Sequence, residues 1–380
     1  MTSPVLFEEI ATAGGRKAGL AVLNSPQTLN GLSLDMCKAL AARLERWASD
    51  PAIALVMLRG AGNKSFSAGG DLHGLYKAMQ NNTSGDAWAN ETAREFFDLE
   101  YRLDYRIHTY PKPILCWGSG IVMGGGVGLM MGASHRVVTD STRFAMPEIS
   151  IGLFPDVGGT WMLSRLPGGV GNFLALTGAQ LGAGDCLALG LADYMLGSED
   201  WDALLMRIQA AAWPDSADGA SEQLRELLLE LGSGHAWQAG PLQRNLEAIR
   251  RACDGDDFLA VCSGITAWAQ SDDPWLKRAA DTFLAGSPGS ARLSFTLLRR
   301  ARLMSLADVF RQEYIAALQC GVQGDFQEGI RALLIDKDKQ PKWNPSRVEQ
   351  ASETWVQRYF QPPWPEGQPH PLTDLGTSAG

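Results

Sequence analysis

The chain has few histidines, no paired cysteines and no apolar run long enough to cross a bilayer. Its 380 residues include five His and six Cys. Cys37, Cys116, Cys186, Cys253, Cys262 and Cys320 are scattered, without a CxxC pair and without a His at ligand spacing. They read as reduced structural thiols rather than a metal or redox centre. The GxSxG elbow, the P-loop and HExxH are all missing. The cluster MGGGVGLMMG at 123–132 fails the GxGxxG register, because Met131 stands where the third glycine belongs. That argues against a dinucleotide fold. The formal net charge of −9 leaves no general basic face for nucleic acid. The opening MTSPVLFEEI is acidic and lacks both the basic flank and the apolar run of a signal peptide. A cytoplasmic protein with no membrane association is the expectation.

What is present is an alternation of strand and helix signals. GLAVLN at 19–24 reads as a strand, and Ser33 reads as the N-cap of a helix with Cys37, Leu40, Leu44 and Trp47 on its apolar face. IALVMLRG follows as a strand buried on both faces. A long polar helix is expected from about Asp86 to Thr109, then the strand PILCWG at 113–118, a glycine-rich turn, an apolar helix and the strand HRVVT at 135–139. The pattern predicts an α/β core of βα or ββα units over residues 1–195. Strand signals fade beyond it, and Leu224, Leu227, Leu228 and Leu231 mark a helical region over 196–345. The segments at 215–219, 253–257 and 271–274 read as loops. The stretch 346–380 reads as a C-terminal extension, with a flexible tail lacking its own core from about 361.

Two strand–glycine–helix features stand out, in IALVMLRGAGNKSFSAGGDL and PILCWGSGIVMGGGVGLMM. Glycines at a helix start leave free N–H groups facing outward, and two such groups converging on one point make an oxyanion hole. The same glycines also suit tight turns or close packing. Further on, FAMPEISIGLFPDVGG places two carboxylates, Glu148 and Asp156, in otherwise uncharged surroundings. Carboxylates resist burial unless paired, hydrogen-bonded or working. From the residues alone, Glu148 serves equally as a helix cap and Asp156 as an organiser of the following turn.

FSAGGDL, GIVMGGGVGLMM, FAMPEISIGLFPDVGGT and LALTGAQLGAGDCLALGLADY, in that order, resemble the crotonase (enoyl-CoA hydratase/isomerase) superfamily over roughly residues 5–195. The resemblance implies a spiral of ββα turns, an acyl-CoA thioester as ligand, and an oxyanion hole formed by the amides of Gly70 and Gly125. Ala68 and Gly69 would lie beside the substrate. No cofactor is implied, since CoA arrives as part of the substrate, and no metal. Hydratases of the family use two glutamates. One matches Glu148, whereas the other position is Gly128, and Asp156 stands where hydratases commonly carry a small residue. That pattern resembles the 3-hydroxyisobutyryl-CoA hydrolase branch, as does GDFQEGIRALLIDKDKQPKW at 324–343. The same branch implies a substrate contact for Glu100 in FFDLEY, although a polar helix with Asp98, Asp104 and several arginines also suits a solvated face there.

Glu148 is then the favoured group for attack on the thioester or activation of water, with Asp156 orienting the water or the substrate's 3-hydroxyl, although either acid fits either role. Ser25 in LNSP departs from the basic residue often found there, so a CoA phosphate contact would come from Lys64, Lys77 or the DKDK run at 336–339. Two rival readings are an enoyl-CoA hydratase or isomerase and a non-catalytic acyl-CoA binding protein. Members often assemble as trimers, which makes a homo-oligomer an expectation that the divergent C-terminal region leaves open.

Overall fold

The computed structural model describes residues 3–377. It divides into two compact units, each assembled from separate stretches of chain, so the boundary drawn near residue 195 from the sequence does not coincide with either. The first unit runs through Gly70, then Leu103–Phe144 and Gln180–Gln243; the second comprises Asp71–Arg102, Ala145–Ala179 and the chain from Arg244 onward.

The first unit is built on a six-stranded sheet. Its strands are β1 (Val5–Ala11), β2 (Lys17–Leu23), β3 (Ile53–Gly60), β5 (Ile114–Gly118), β7 (His135–Thr139) and β9 (Tyr194–Leu196), in that spatial order. The β1–β2 pair is antiparallel and the others are parallel. Short strands β4 (Ser65–Ser67), β6 (Ile121–Met123) and β8 (Arg143–Ala145) form a second sheet. β3 is buried along nearly its whole length, as a continuous apolar run requires. Ser33 caps α1 (Leu34–Ser49), its Oγ accepting from the Met36 amide at 3.2 Å. Leu224 and Leu228, on the helix Ala217–Gly232, join Leu55, Met57 and Leu115 in the core. Trp117 belongs to that core, edge-on to Trp201 at 5.4 Å.

Two of the expected loops are helix starts. Ser216 caps Ala217–Gly232 by accepting from the Gly219 amide, and Asp273 caps Pro274–Ala285 by accepting from Trp275 and Leu276. Polar composition looked like a break because capping residues and loop residues are the same residues. The segment CDGDD does turn, and Asp257 caps the helix Phe258–Ala267 that follows. The long polar helix, α3 (Glu91–His108), begins later than expected. Asp86 instead starts a short 3-10 turn at Ala87–Ala89, and Asn90 accepts from the Ala93 amide.

The second unit is almost wholly helical and includes α3 through Arg102, α2 (Leu72–Asn81) and the long helix Leu306–Cys320. The segment from 361, expected as a flexible tail, is held down in this unit. Arg311 donates to the carbonyls of Leu372, Thr373 and Leu375, while Arg102 pairs with Asp374 at 2.6 Å and donates to Pro371 O at 2.8 Å. Trp364 packs on Trp88 and His370, and Leu372 is fully buried. A proline- and glycine-rich composition concealed these few anchors. No helix among the described residues is long and apolar enough to cross a membrane. All six cysteines are buried, and none forms a disulfide among the described residues.

Candidate active site

In the first unit, the two glycine-rich turns lie backbone to backbone. Asn30 secures the first turn by donating to Ala61 O at 3.0 Å and Ser65 O at 2.9 Å. The Leu32 amide donates to Gly69 O at 2.7 Å, and the Ala68 amide to Leu29 O at 3.1 Å. Gly69 has φ +106°, and a Cβ built there would lie 3.6 Å from the Gly125 nitrogen. On the second turn, Gly126 fits so closely against Ser67 that a Cβ would sit 2.5 Å from the Ser67 carbonyl oxygen. Gly125 opens α4 (Gly125–Gly132), so its N–H has no carbonyl one turn back to bind. Ala68, Gly69, Gly70 and Gly125 are thus brought together through these two turns. Gly128 is buried within α4 and offers no side chain.

In the second unit, the acids converge. Glu148 begins a 3-10 turn, Glu148–Ile151, and its backbone carbonyl accepts from the Gly152 and Leu153 amides. Its side chain caps no helix, and Oε2 is buried with no hydrogen-bond partner among the described residues. The loop from Gly152 to Gly158 is buried throughout. Gly152 faces the Asp325 backbone, and Ser290 Oγ donates to Leu153 O. Asp156 accepts from the Tyr101 hydroxyl at 2.8 Å. The turn after Asp156 is organised instead by Glu313, which accepts from the amides of Gly158 and Thr160 and from the Thr160 hydroxyl.

Four buried carboxyls, Glu100, Glu148, Asp156 and Glu313, therefore share one electrostatic environment. Burial raises Asp156 to about 6, against the Tyr101 hydrogen bond and one from its own amide, which pull it down. Glu148 and Glu100 lie well above the ordinary carboxylate range, first through burial and then through the Asp156 charge. Glu313 is pushed up to about 8, chiefly by burial, despite its three donors. Burial disfavours the charged form, and a neighbouring negative charge adds to that. At neutral pH, Asp156, at about 6, carries charge, while Glu313, at about 8, is mostly protonated.

The sequence singles out Glu148, Asp156 and Glu100, which the structure brings together, but not Tyr101 or Glu313. The signal for Glu313 was present: an acid on the apolar stripe of LADVFRQEYIAALQC, three residues after Phe310 and four before Ala317, all buried. The DKDK run is a surface turn in which Asp336 and Asp338 pair with Arg331 at 2.6 and 2.7 Å.

Among solved structures, the chain resembles a carnitinyl-CoA dehydratase from Mycobacterium thermoresistibile, with a TM-score of 0.83 and 34% identity over 95% of this chain and 97% of that one. It also resembles an enoyl-CoA hydratase from Rhodobacter sphaeroides 2.4.1, with a TM-score of 0.81 and 32% identity over 95% of this chain and 98% of that one. Among characterised sequences it is 38% identical to a mitochondrial 3-hydroxyisobutyryl-CoA hydrolase from Danio rerio, over 94% of this chain and 89% of the relative. A mitochondrial 3-hydroxyisobutyryl-CoA hydrolase from Dictyostelium discoideum is 33% identical over 95% of this chain and 92% of its own length. The family model for enoyl-CoA hydratase/isomerase matches residues 18–360. The crotonase-type ββα fold and its helical C-terminal part agree with these likenesses, and the chain belongs to the enoyl-CoA hydratase/isomerase family.

Proposed function

We propose that this protein is an acyl-CoA thioester hydrolase acting on a short branched 3-hydroxyacyl-CoA, foremost 3-hydroxyisobutyryl-CoA, which would place it in valine breakdown. The observation that carries the reading is the buried Glu148 carboxyl, with one oxygen lacking a partner, electrostatically coupled to Asp156. A buried polar atom without a partner calls for an explanation such as a ligand or water. The relatives named 3-hydroxyisobutyryl-CoA hydrolases support the substrate class. The solved structures titled as a dehydratase and a hydratase pull the other way. Gly128 favours the hydrolase, because a second glutamate is needed to add water across a double bond in the hydratase pattern.

In this reading, the amides of Gly70 and Gly125 bind the thioester carbonyl oxygen and stabilise the charge it gains. Water attacks the carbonyl carbon and gives its proton to an ionised carboxylate. The tetrahedral intermediate then expels the CoA thiolate, which takes a proton from a protonated acid. The sequence favoured Glu148 for attack or water activation. The electrostatics favour Asp156 as the base, since it is charged above about pH 6, and Glu148 as the acid, since burial and the Asp156 charge both favour its protonated form. Glu100, whose burial likewise favours the protonated form, would donate to the substrate's hydroxyl.

The test is thiol release, followed with a disulfide reagent, from 3-hydroxyisobutyryl-CoA and 3-hydroxypropionyl-CoA beside crotonyl-CoA. Rapid release from the hydroxyacyl esters is expected. Loss of enoyl absorbance from crotonyl-CoA without thiol would establish a hydratase instead, and tight binding without turnover would establish a binding protein. The proposal includes a cytoplasmic location and association of copies of the chain, checked by fractionation and light scattering.

A further inference from the structure

Asp156 is pinned at two ends. Its carboxyl accepts from Tyr101, and the backbone immediately after it is gripped by Glu313. Between Asp156 and Gly158, Val157 adopts φ +53°, a left-handed conformation that a β-branched residue rarely takes. Such a conformation persists only where the surroundings over-determine it, and it concentrates at functional sites. Here the surroundings are the Glu313 carboxyl. Oε2 accepts from the Gly158 amide at 2.8 Å, and Oε1 accepts from the Thr160 amide at 3.1 Å and the Thr160 hydroxyl at 2.5 Å. Phe310, one turn earlier on the same helix, closes against Gly158.

A buried acid is a costly way to satisfy two amides and a hydroxyl, because a fully enclosed carboxyl loses its hydration. Glu313 is wholly buried. A neutral side chain at this place would accept fewer bonds, and none could bridge both amides with two equivalent oxygens.

We infer that Glu313 is a positioning residue for Asp156: from the helix Leu306–Cys320, its carboxyl clamps the strained turn and fixes where Asp156 can take a proton. The inference deepens the hydrolase reading and rests on it for the role of Asp156. The titratable groups facing Asp156 are Glu148 on the 3-10 turn, Glu100 and Tyr101 on α3, and Glu313 and Cys320 on the long helix.

The test compares Thr160→Val, which keeps the volume but removes one donor to Glu313, with Thr160→Ser, which keeps the donor but removes a methyl group. With 3-hydroxyisobutyryl-CoA, Thr160→Val is expected to lower kcat about tenfold with KM within twofold, while Thr160→Ser keeps more than half of kcat. Glu313→Gln should fall at least as far as Thr160→Val; should it fail to fold, the Thr160 pair decides. A packing role predicts the reverse order, and that order, or wild-type kcat in both Thr160 variants, overturns the inference. A second measurement does not depend on turnover. In 13C-Asp-labelled protein, with Asp156 assigned through Asp156→Asn, its carboxyl should titrate near 6 in wild type and Thr160→Ser. In Thr160→Val the loosened carboxyl meets water, and its midpoint should drop by about one pH unit or more. Equal midpoints in all three proteins reject the clamp. If the wild type releases no thiol, the hydrolase reading fails and the titration still decides the clamp.

Discussion

The Tyr101 hydroxyl points at Asp156 Oδ2 from 2.8 Å, both groups being buried. This bond lowers the Asp156 pKa against the burial that raises it. Tyr101→Phe should therefore raise it further and move the acid limb of the kcat profile from near 6 toward higher pH. If the pKa rises by about one unit, the variant should lose about fivefold in rate at pH 6, where the charged fraction falls from about one half to about one tenth, and much less at pH 8. A limb that stays in place would remove Asp156 as the ionised group in catalysis.

Glu148→Gln should abolish most hydrolysis, by about 100-fold or more, while binding of the CoA ester persists. The substitution preserves shape and removes the proton that the leaving thiolate would take. Single-turnover thiol release beside calorimetric titration of the substrate separates the two effects. Full activity in the variant excludes Glu148 from the mechanism.

Stability should fall as pH rises through the neutral range. Asp156 and Glu313 have folded values of about 6 and about 8, above their ordinary 3.8 and 4.5. Between the unfolded and folded values, the native state binds more protons than the unfolded chain, so raising the pH favours unfolding. The penalty from these two acids is absent below the ordinary values and complete above about 8. Asp156 alone accounts for about 3 kcal/mol. Calorimetric Tm should decline from pH 5 to 8, and Glu148 and Glu100, raised in the same direction, add to the decline. A Tm that climbs across this interval contradicts the burial of these acids.

Gly152→Ala should destabilise the protein by about 3 kcal/mol or more. Gly152 has φ +72°, and a Cβ there would lie 2.4 Å from the Asp325 backbone carbonyl. Gly190→Ala is the control: φ is +68° but nothing lies within 4 Å, so only the conformational cost of about 1–2 kcal/mol applies. Denaturant melts of both variants provide the comparison. Equal losses would show that the contact with Asp325 is unimportant.

The parts of the site legible in the sequence are those written in local chemistry. Strand, glycine and helix start lie within a few residues of each other, so the turns bearing Gly70 and Gly125 could be read, as could the acids flanking a buried loop. Tyr101 reaches Asp156 across 55 residues and Glu313 reaches Gly158 and Thr160 across 155 and 153, and no local pattern announces a hydrogen bond of that span. The C-terminal segment was misread for a related reason. Its order comes from partners on α3 and the helix Leu306–Cys320, while its own composition suggests none.

The anchoring of that segment has a genetic consequence. Arg102 and Arg311, which grip residues 371–375, lie on the same helices as Glu100 and Tyr101 and as Glu313. A premature stop codon at position 361 would leave every acid of the cluster encoded. It would also remove the C-terminal partners of both arginines, leaving, among the described residues, Arg102 only Asp98 and Arg311 only Asp308, and expose the helix faces beneath Trp364 and Leu372. Such an allele should behave as a loss of function despite an intact set of catalytic codons.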